Sequence, residues 1–337
     1  CQAMRVIGVT GTNGKTTTVH LIAQLADTLG LKAARIGTLG ISIGPDKLVD
    51  SDRTTPDAIT LAKIFSELRD REVDLVAMEV ASHALDQHRV DGIPFDVAVM
   101  TNLSRDHLDY HENFVRYITS KLKIINFLRN NGIFIFDKSN KLLDKIIDTD
   151  NHKSLKLIRI HKKESTDFIN DNNHLKGTHN AINASIAISI AKKLNINDNK
   201  IELAIKRFKG LSHRMEQLYI SKDLEIINDS KSTNGESTAA ALKSFNNIFW
   251  IVGGKPKNDG IGEAKKFLDK VVEIFIIGDT TNYFSKEILK LNKNIPLNEC
   301  VTIENATKLA LKRSKISKLK KCVILLSPSA ASFDQFK

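Results

Sequence analysis

Short apolar runs recur along the chain, each closed by glycine or polar residues and separated from the next by stretches of helical periodicity. They are Val6 to Val9, "LVAMEVA" (75–81), "DVAVMTNL" (96–103), "GIFIF" (132–136), "LEIINDS" (224–230), "NIFWIVGG" (247–254), "EIFIIGD" (273–279) and "CVILLSPS" (322–329). Runs that are apolar at successive positions predict strands covered on both faces. From Thr17 onward the pattern predicts a helix with Leu21, Ile22 and Leu25 on one face, and "HNAINASIAISIAKKL" (179–194) predicts another. Strands alternating with helices give an α/β fold class: a first domain with a mostly parallel sheet, then a smaller, doubly wound, Rossmann-like α/β domain. "DNNHLKGTHN" (171–180) reads as a loop leading into the second helix, and "FKGLSHRMEQ" (208–217) as a hinge. The expected domains are therefore 1–211 and 212–337.

The turn after the first run, "GTNGKTTT" (11–18), carries the most specific chemistry. Gly11 and Gly14 let the backbone come close to a ligand. Thr12, Asn13, Gly14, Lys15, Thr16 and Thr17 offer amides at a helix start, where an anion is favoured. Lys15 is placed to reach the terminal phosphates of a nucleotide, and the Thr16 hydroxyl to ligate magnesium. The spacing G-x-x-G-K-T is two residues shorter than G-x-x-x-x-G-K-[ST], because Val9 stands where the first glycine would be. Strand, glycine pair, lysine, threonine and helix, in that order, predict a P-loop nucleotide site rather than an ordinary strand-to-helix turn.

A length of 337 residues suits two α/β domains with full cores. No apolar run approaches the roughly 20 residues that span a membrane, and no signal peptide is seen, so membrane insertion is not expected. Cys1, Cys300 and Cys322 show no metal-ligand spacing, which points to a cytoplasmic protein. The net charge of +11 is unevenly spread. Residues 1–110 carry a net −4, with 4 Lys and 7 Arg against 15 acidic residues; residues 111–337 carry +15, with 33 Lys and 6 Arg. Asparagine rises across the same point, from 2 to 24. A joint rise of lysine and asparagine, without arginine or interleaved aromatics, describes compositional bias rather than a nucleic-acid face. No nucleic-acid partner is expected. The start at Cys1 and the end in "SFDQFK" read as the ends of a fragment.

"GVTGTNGKTTT", "TNLSRDHLDYH", "LKGTHNAINA", "GLSHRMEQ" and "NDSKSTN" together resemble the Mur ligases, ATP-dependent amide ligases of peptidoglycan synthesis. The resemblance covers nearly the whole chain in the expected order. It implies a central ATP-binding domain followed by an amino-acid-binding domain cut short at its end, with the UDP-binding N-terminal domain absent. It also implies ATP with two magnesium ions as cofactors, and a UDP-N-acetylmuramoyl-peptide and an amino acid as partners. A monomer is the expected state.

Individual residues carry their own readings beside that resemblance. Glu79, ending a strand in "MEVASH", is by itself either a solvated strand-end acid or a magnesium ligand; next to the Lys15–Thr16 loop the ligand reading is preferred. His107 in "RDHLD" is either a buried structural histidine or, as the resemblance implies, a ligand of the second magnesium. Lys121 in "YITSK" would by default be a surface helix lysine. The resemblance implies instead a carbamylated lysine, giving the second metal an anionic oxygen. Asn180 and Asn183, one helical turn apart, either face one ligand edge or cap the helix; the resemblance places them around the adenine. Arg214 and Asp229 resemble residues that reach phosphates and ribose from beyond the hinge. By the same resemblance Lys231 lies near the reacting groups. Thr233, Lys257, Ser332 and Phe333 surround the incoming amino acid, with Lys257 pairing a carboxylate unless it is one more lysine of a lysine-rich half.

The two ends of the chain resemble different branches of the family. "IGTLG", "RTTPDA", "MEVASHALDQHRVDGIPFD" and "TNLSRDHLDYH" are similar to the branch that adds the third peptide residue, which puts Thr54, Thr55, Ser82, His83 and Arg89 near the muramoyl-peptide. After about residue 113, "SKLKIINF", "LKGTHN" and "SHRMEQ", marked by His179 and His213, are similar to the branch that adds D-glutamate. The change falls where lysine and asparagine rise, so a junction between two homologous ligases is expected near residues 105–115. D-glutamate is the favoured amino acid, because its contacts lie in the longer back portion. The alternatives are a ligase for lysine or diaminopimelate, a folylpolyglutamate-synthetase-like ligase, and a non-catalytic ATP-binding hybrid fragment.

Overall fold

The computed structural model describes residues 4–148, 155–170, 172–175, 177–256, 260–279 and 281–331. They fall into two compact units, Cys1–Phe208 and Lys209–Lys337.

In the first unit the apolar run at the start becomes β1 (Arg5–Thr10), buried at every position after Arg5. It is followed in chain order by β2 (Ala33–Gly37), β3 (Gly40–Ile43), β4 (Asp46–Val49), β5 (Leu75–Glu79), β6 (Phe95–Met100), β7 (Leu128–Asp137) and β8 (Lys156–Ile160). The sheet order is β4-β3-β2-β5-β1-β6-β7-β8. All neighbours are parallel except the β2–β3 and β3–β4 pairs at one edge. The helix Lys15–Thr28 buries Val19, Leu21, Ile22, Leu25 and Ala26, the apolar stripe anticipated from its periodicity. The helix Ala58–Asp70 is capped by Asp57, whose carboxylate accepts the Thr60 N–H at 3.0 Å. It presses Leu61, Ile64 and Leu68 against Val6, Val76, Met78, Ala98 and Phe134 in one cluster. That cluster takes residues from both sides of the expected junction, Met100 and Leu103 before it and Ile118, Ile124 and Phe136 after it.

The second unit holds β9 (Glu216–Ile220), β10 (Leu224–Asn228), β11 (Ile248–Gly253), β12 (Val271–Ile277), β13 (Leu297–Val301) and β14 (Cys322–Leu326), in the order β13-β12-β11-β14-β10-β9. Among the described strands of this unit only β9 runs antiparallel. Alternate residues of each central strand enter different cores. Trp250, Val252, Ile274, Ile276, Val323 and Leu325 face one, Phe249, Ile251, Phe275, Ile277, Cys322 and Ile324 the other. Two buried faces explain why these strands read as unbroken apolar runs. The stretch 208–217 is not a hinge throughout, since Glu216 already begins β9. Cys300 and Cys322 are free thiols inside the second unit. Among the described residues no helix is long and apolar enough to cross a membrane.

Candidate nucleotide site

Connections leave β1 toward β2 on one side of the sheet, and β6 lies on its other side. The carboxyl ends of β5, β1 and β6 thus meet at a topological switch point, the place where open parallel sheets bind ligands. Gly14 caps the helix Lys15–Thr28 with φ at 85°, and Gly11 has φ at 140°. A Cβ on Gly14 would collide with the Asn183 carboxamide, and one on Gly11 with the Thr101 hydroxyl, so close approach as well as dihedral angle demands glycine at both. Lys15, Thr16 and Thr17 form the first turn of the helix, where amide N–H groups point along the axis toward the loop. Lys15 Nζ folds back to donate to the carbonyls of Gly11 and Thr12, each at 2.9 Å.

Thr16 Oγ1 donates to Glu79 Oε1 at 2.9 Å. Glu79 is 1% exposed, so the reading of a solvated strand-end acid is corrected. Its Oε1 also accepts the Thr38 N–H at 2.8 Å, and its Oε2 the Thr38 hydroxyl at 3.3 Å. Thr38 shares its hydroxyl with Thr54 at 3.2 Å. Thr55 donates to the Glu79 carbonyl and accepts the Ala81 N–H, both at 2.9 Å, while Arg89 donates to the Thr55 carbonyl at 3.1 Å and to Gln87. Thr16, Thr54, Thr55, Glu79 and Arg89 therefore belong to one connected network. A buried carboxylate against a threonine hydroxyl is a hard, all-oxygen donor set that suits magnesium.

Lys121 lies in the last turn of the helix Phe114–Leu122 and is 1% exposed, which corrects its reading as a surface lysine. Its Nζ donates to the Gly11 carbonyl at 2.8 Å and lies 4.7 Å from the centre of the Tyr117 ring. Burial, reinforced by the charge of Lys15, holds this amine well below the usual lysine range. The Tyr117 hydroxyl meets Thr12 Oγ1 at 3.0 Å. His107, with φ at 52°, has a side chain 43% exposed, so it is no buried structural histidine. Its ring lies 4.8 Å from that of His83, which is 5.4 Å from His111 and 4.2 Å from Tyr110. Desolvation lowers both His83 and His111 below the usual imidazole range. His111 Nε2 meets Ser82 Oγ at 3.0 Å, and the Ser120 hydroxyl donates to the Ser82 carbonyl at 2.8 Å. Among the described residues no group of three or more His, Cys, Asp or Glu side chains is arranged to hold a metal. Asn180 and Asn183 are both buried in the helix Thr178–Lys193. The helix N-cap is Gly177, so Asn180 is not a cap.

In the second unit Arg214 sits between two non-glycine residues with positive φ, His213 at 66° and Met215 at 48°. Asp229, at the end of β10, accepts the Met215 N–H at 3.1 Å and the Ser327 hydroxyl at 3.3 Å. Burial raises its carboxyl to about 7, against the opposing pull of these bonds and of the Arg214 charge. Between roughly pH 4 and 7 the unfolded chain would release this proton while the folded one keeps it, so stability falls as pH rises through that window. Asp229→Asn is therefore expected to raise the unfolding midpoint of the second unit at pH 8 and hardly at pH 4. Thermal melts at the two pH values check this, and an equal shift at both would refute the titration. Lys231 donates its N–H to the His213 carbonyl at 3.1 Å, and the Thr233 N–H donates to the Lys231 carbonyl at 3.0 Å. Lys257, Ser332 and Phe333 lie outside the described residues.

Sequence reasoning missed Thr38, Asn102, His111, Tyr117 and Ser327. For Tyr117 a signal existed: it precedes Lys121 by four residues, one turn along a helix face.

Fold and loop define a P-loop α/β protein with a second α/β unit. The Mur ligase middle domain family model matches residues 9–196, and the chain belongs to the Mur ligase family. The chain is 30% identical to the UDP-N-acetylmuramoylalanine--D-glutamate ligase of Bartonella henselae, in an alignment covering 98% of this chain and 70% of that protein. Both sides of residues 105–115 fall within this alignment. Among solved structures, folylpolyglutamate synthase of Mycobacterium tuberculosis, complexed with ADP and AMPPCP, superposes with a TM-score of 0.74 at 13% identity, covering 98% of this chain and 89% of that one. MurF from Acinetobacter baumannii gives 0.72 at 17% identity, covering 97% and 74%. These two likenesses concern the fold alone.

Proposed function

We propose that the chain is an ATP-dependent, ADP-forming ligase that joins D-glutamate to UDP-N-acetylmuramoyl-L-alanine in cytoplasmic peptidoglycan precursor synthesis. The observation that carries the reading is the Lys15–Thr16–Glu79 constellation, in a chain whose D-glutamate ligase relative aligns over 98% of its length. The acceptor carboxylate attacks the γ-phosphoryl of ATP in line, giving an acyl phosphate and ADP. The amino group of D-glutamate then attacks the acyl carbon, and the tetrahedral intermediate collapses with loss of phosphate. In the first step the work of the protein is positioning and charge neutralisation.

Lys15 exchanges its bonds to loop carbonyls for charge-assisted bonds to the β- and γ-phosphates. The first-turn amides of Lys15, Thr16 and Thr17 hold phosphate oxygens, and Asn180 and Asn183 hold the adenine edge. Thr16 and Glu79 would hold one magnesium ion and His107 with Lys121 a second, and such ions offset phosphate charge. The lowered pKa of Lys121 eases loss of its proton, and the deprotonated amine suits carbamylation: its nitrogen bonds the carbon of carbon dioxide, a proton leaves to solvent, and an anionic carbamate remains. Thr54, Thr55, Ser82, His83 and Arg89 orient the muramoyl-peptide. In the second unit Arg214 and Asp229 serve the nucleotide, and Lys231, Thr233, Lys257, Ser332 and Phe333 serve the amino acid. We read the protein as a monomer.

The test is phosphate release from ATP with UDP-N-acetylmuramoyl-L-alanine or the corresponding L-alanyl-D-glutamate acceptor, across D-glutamate, L-lysine and diaminopimelate. Release that depends on D-glutamate with the first acceptor is expected. A preference for lysine or diaminopimelate overturns the amino-acid assignment. ATP binding with no amino-acid-dependent release overturns the ligase reading itself.

A further inference from the structure

The loop 11–14 lacks the length by which longer phosphate loops close on themselves, and its outer side is held by the end of another strand. Thr101 and Asn102 follow β6 directly, beside the end of β1. The Asn102 carbonyl accepts the Thr12 N–H at 3.1 Å. Its side-chain Oδ1 accepts the Asn13 N–H at 2.9 Å, and its Nδ2 donates to the Asn13 carbonyl at 3.0 Å. Thr101 Oγ1 also donates to the Asn13 carbonyl, at 2.6 Å, and its N–H to the Thr10 carbonyl at 3.0 Å. One carboxamide thus satisfies both polar groups of a loop residue, as a paired strand would. With the N–H and the carbonyl of Asn13 both turned to Asn102, the concave side is left to Gly14 and the first helical turn.

We infer that Asn102 is a positioning residue for nucleotide binding: its carboxamide replaces the missing loop residues and fixes the short loop in its phosphate-cradling shape. This rests on reading loop 11–16 as the nucleotide site. Of the side chains short enough to reach, asparagine presents a donor and an acceptor on two separate atoms, one for the N–H and one for the carbonyl of the same residue, whereas a serine or threonine carries both on a single oxygen. Aspartate keeps the acceptor but turns a second oxygen on the Asn13 carbonyl and adds a negative charge beside the phosphates. Alanine loses both bonds and adds no repulsion. The expected order of Mg-ATP affinity is therefore parent, then Asn102→Ala, then Asn102→Asp.

The experiment measures the dissociation constant of Mg-ATP by calorimetry for the parent, both Asn102 variants and Lys15→Ala, with thermal melts alongside. Lost preorganisation should weaken ATP binding by roughly 10-fold in Asn102→Ala and by more in Asn102→Asp. The KM for ATP should rise while that for D-glutamate stays. If the alanine variant fails to fold, the near-isosteric aspartate carries the test. Folded variants that bind within about twofold of the parent, while Lys15→Ala does not bind, overturn the role of Asn102 and leave the site standing. Unchanged binding in Lys15→Ala overturns the site itself. Loss of cooperative melting in both Asn102 variants makes Asn102 a folding residue and equally overturns the inference.

Discussion

Lys15→Ala is expected to abolish measurable Mg-ATP binding while leaving the chain folded. The ammonium donates to two carbonyls of its own loop, those of Gly11 and Thr12. Its removal leaves those carbonyls near a half-buried surface, at little cost to stability. Toward a triphosphate the same group would make charge-assisted bonds worth about 1.5–3 kcal/mol each. Two of them correspond to a rise in Kd on the order of 100-fold or more. Calorimetric titration with Mg-ATP, with circular dichroism as the control for folding, decides the matter. An affinity equal to that of the parent would mean the loop holds no nucleotide.

Replacement of Lys121 should silence turnover more completely than it harms the fold. A full-length lysine side chain is enclosed here, and its amine sits against the Gly11 carbonyl and the Tyr117 face. Lys121→Met keeps most of the stem's volume, so the packing loss stays small. Without an anionic oxygen at this place, ligase turnover is expected to fall by roughly 100- to 1000-fold, the range seen when one preorganised electrostatic contact is removed. Formate or acetate should restore part of it in Lys121→Ala, where the stem leaves room. The parent should in turn lose activity when carbon dioxide is depleted and regain it with bicarbonate. Turnover in Lys121→Ala equal to the parent's with bicarbonate present, or a parent insensitive to carbon dioxide depletion, would exclude a carbamate.

The central strands were legible because they are apolar on both faces, so each run announced itself without help from its neighbours. What escaped were β2, β3, β4, β8, β9 and β13. Most of these lie toward sheet edges, where one face or one end meets water: β4 is exposed at three of four positions and β9 at its last three. Short half-polar segments of this kind carry too little period-two signal to separate from loops. At the site, contiguous residues from Gly11 to Thr17 could be read directly, since their chemistry is a property of one turn. Thr38 and Asn102 could not. Their roles come from the lateral order of strands, which sets the ends of β2 and β6 beside residues remote in sequence. The burial of Lys121 was hidden for a related reason: lysine is rarely enclosed, and its amine meets loop 11–14, which is remote in sequence.

The pairing of Val99 with Ile135 and Met100 with Phe136 has a further meaning for a chain whose composition changes abruptly between them. Backbone hydrogen bonds of β7 are made to β6, and the side chains of both strands share one apolar cluster. Each strand also pairs with a second neighbour, β6 with β1 and β7 with β8, so an opening that parts β6 from β7 exposes amide protons on both sides of the compositional change. In hydrogen exchange the amides bonded between these two strands would open together, whatever separate histories their compositions record. The break visible in the letters of the sequence falls between two paired strands inside the sheet, not at its edge.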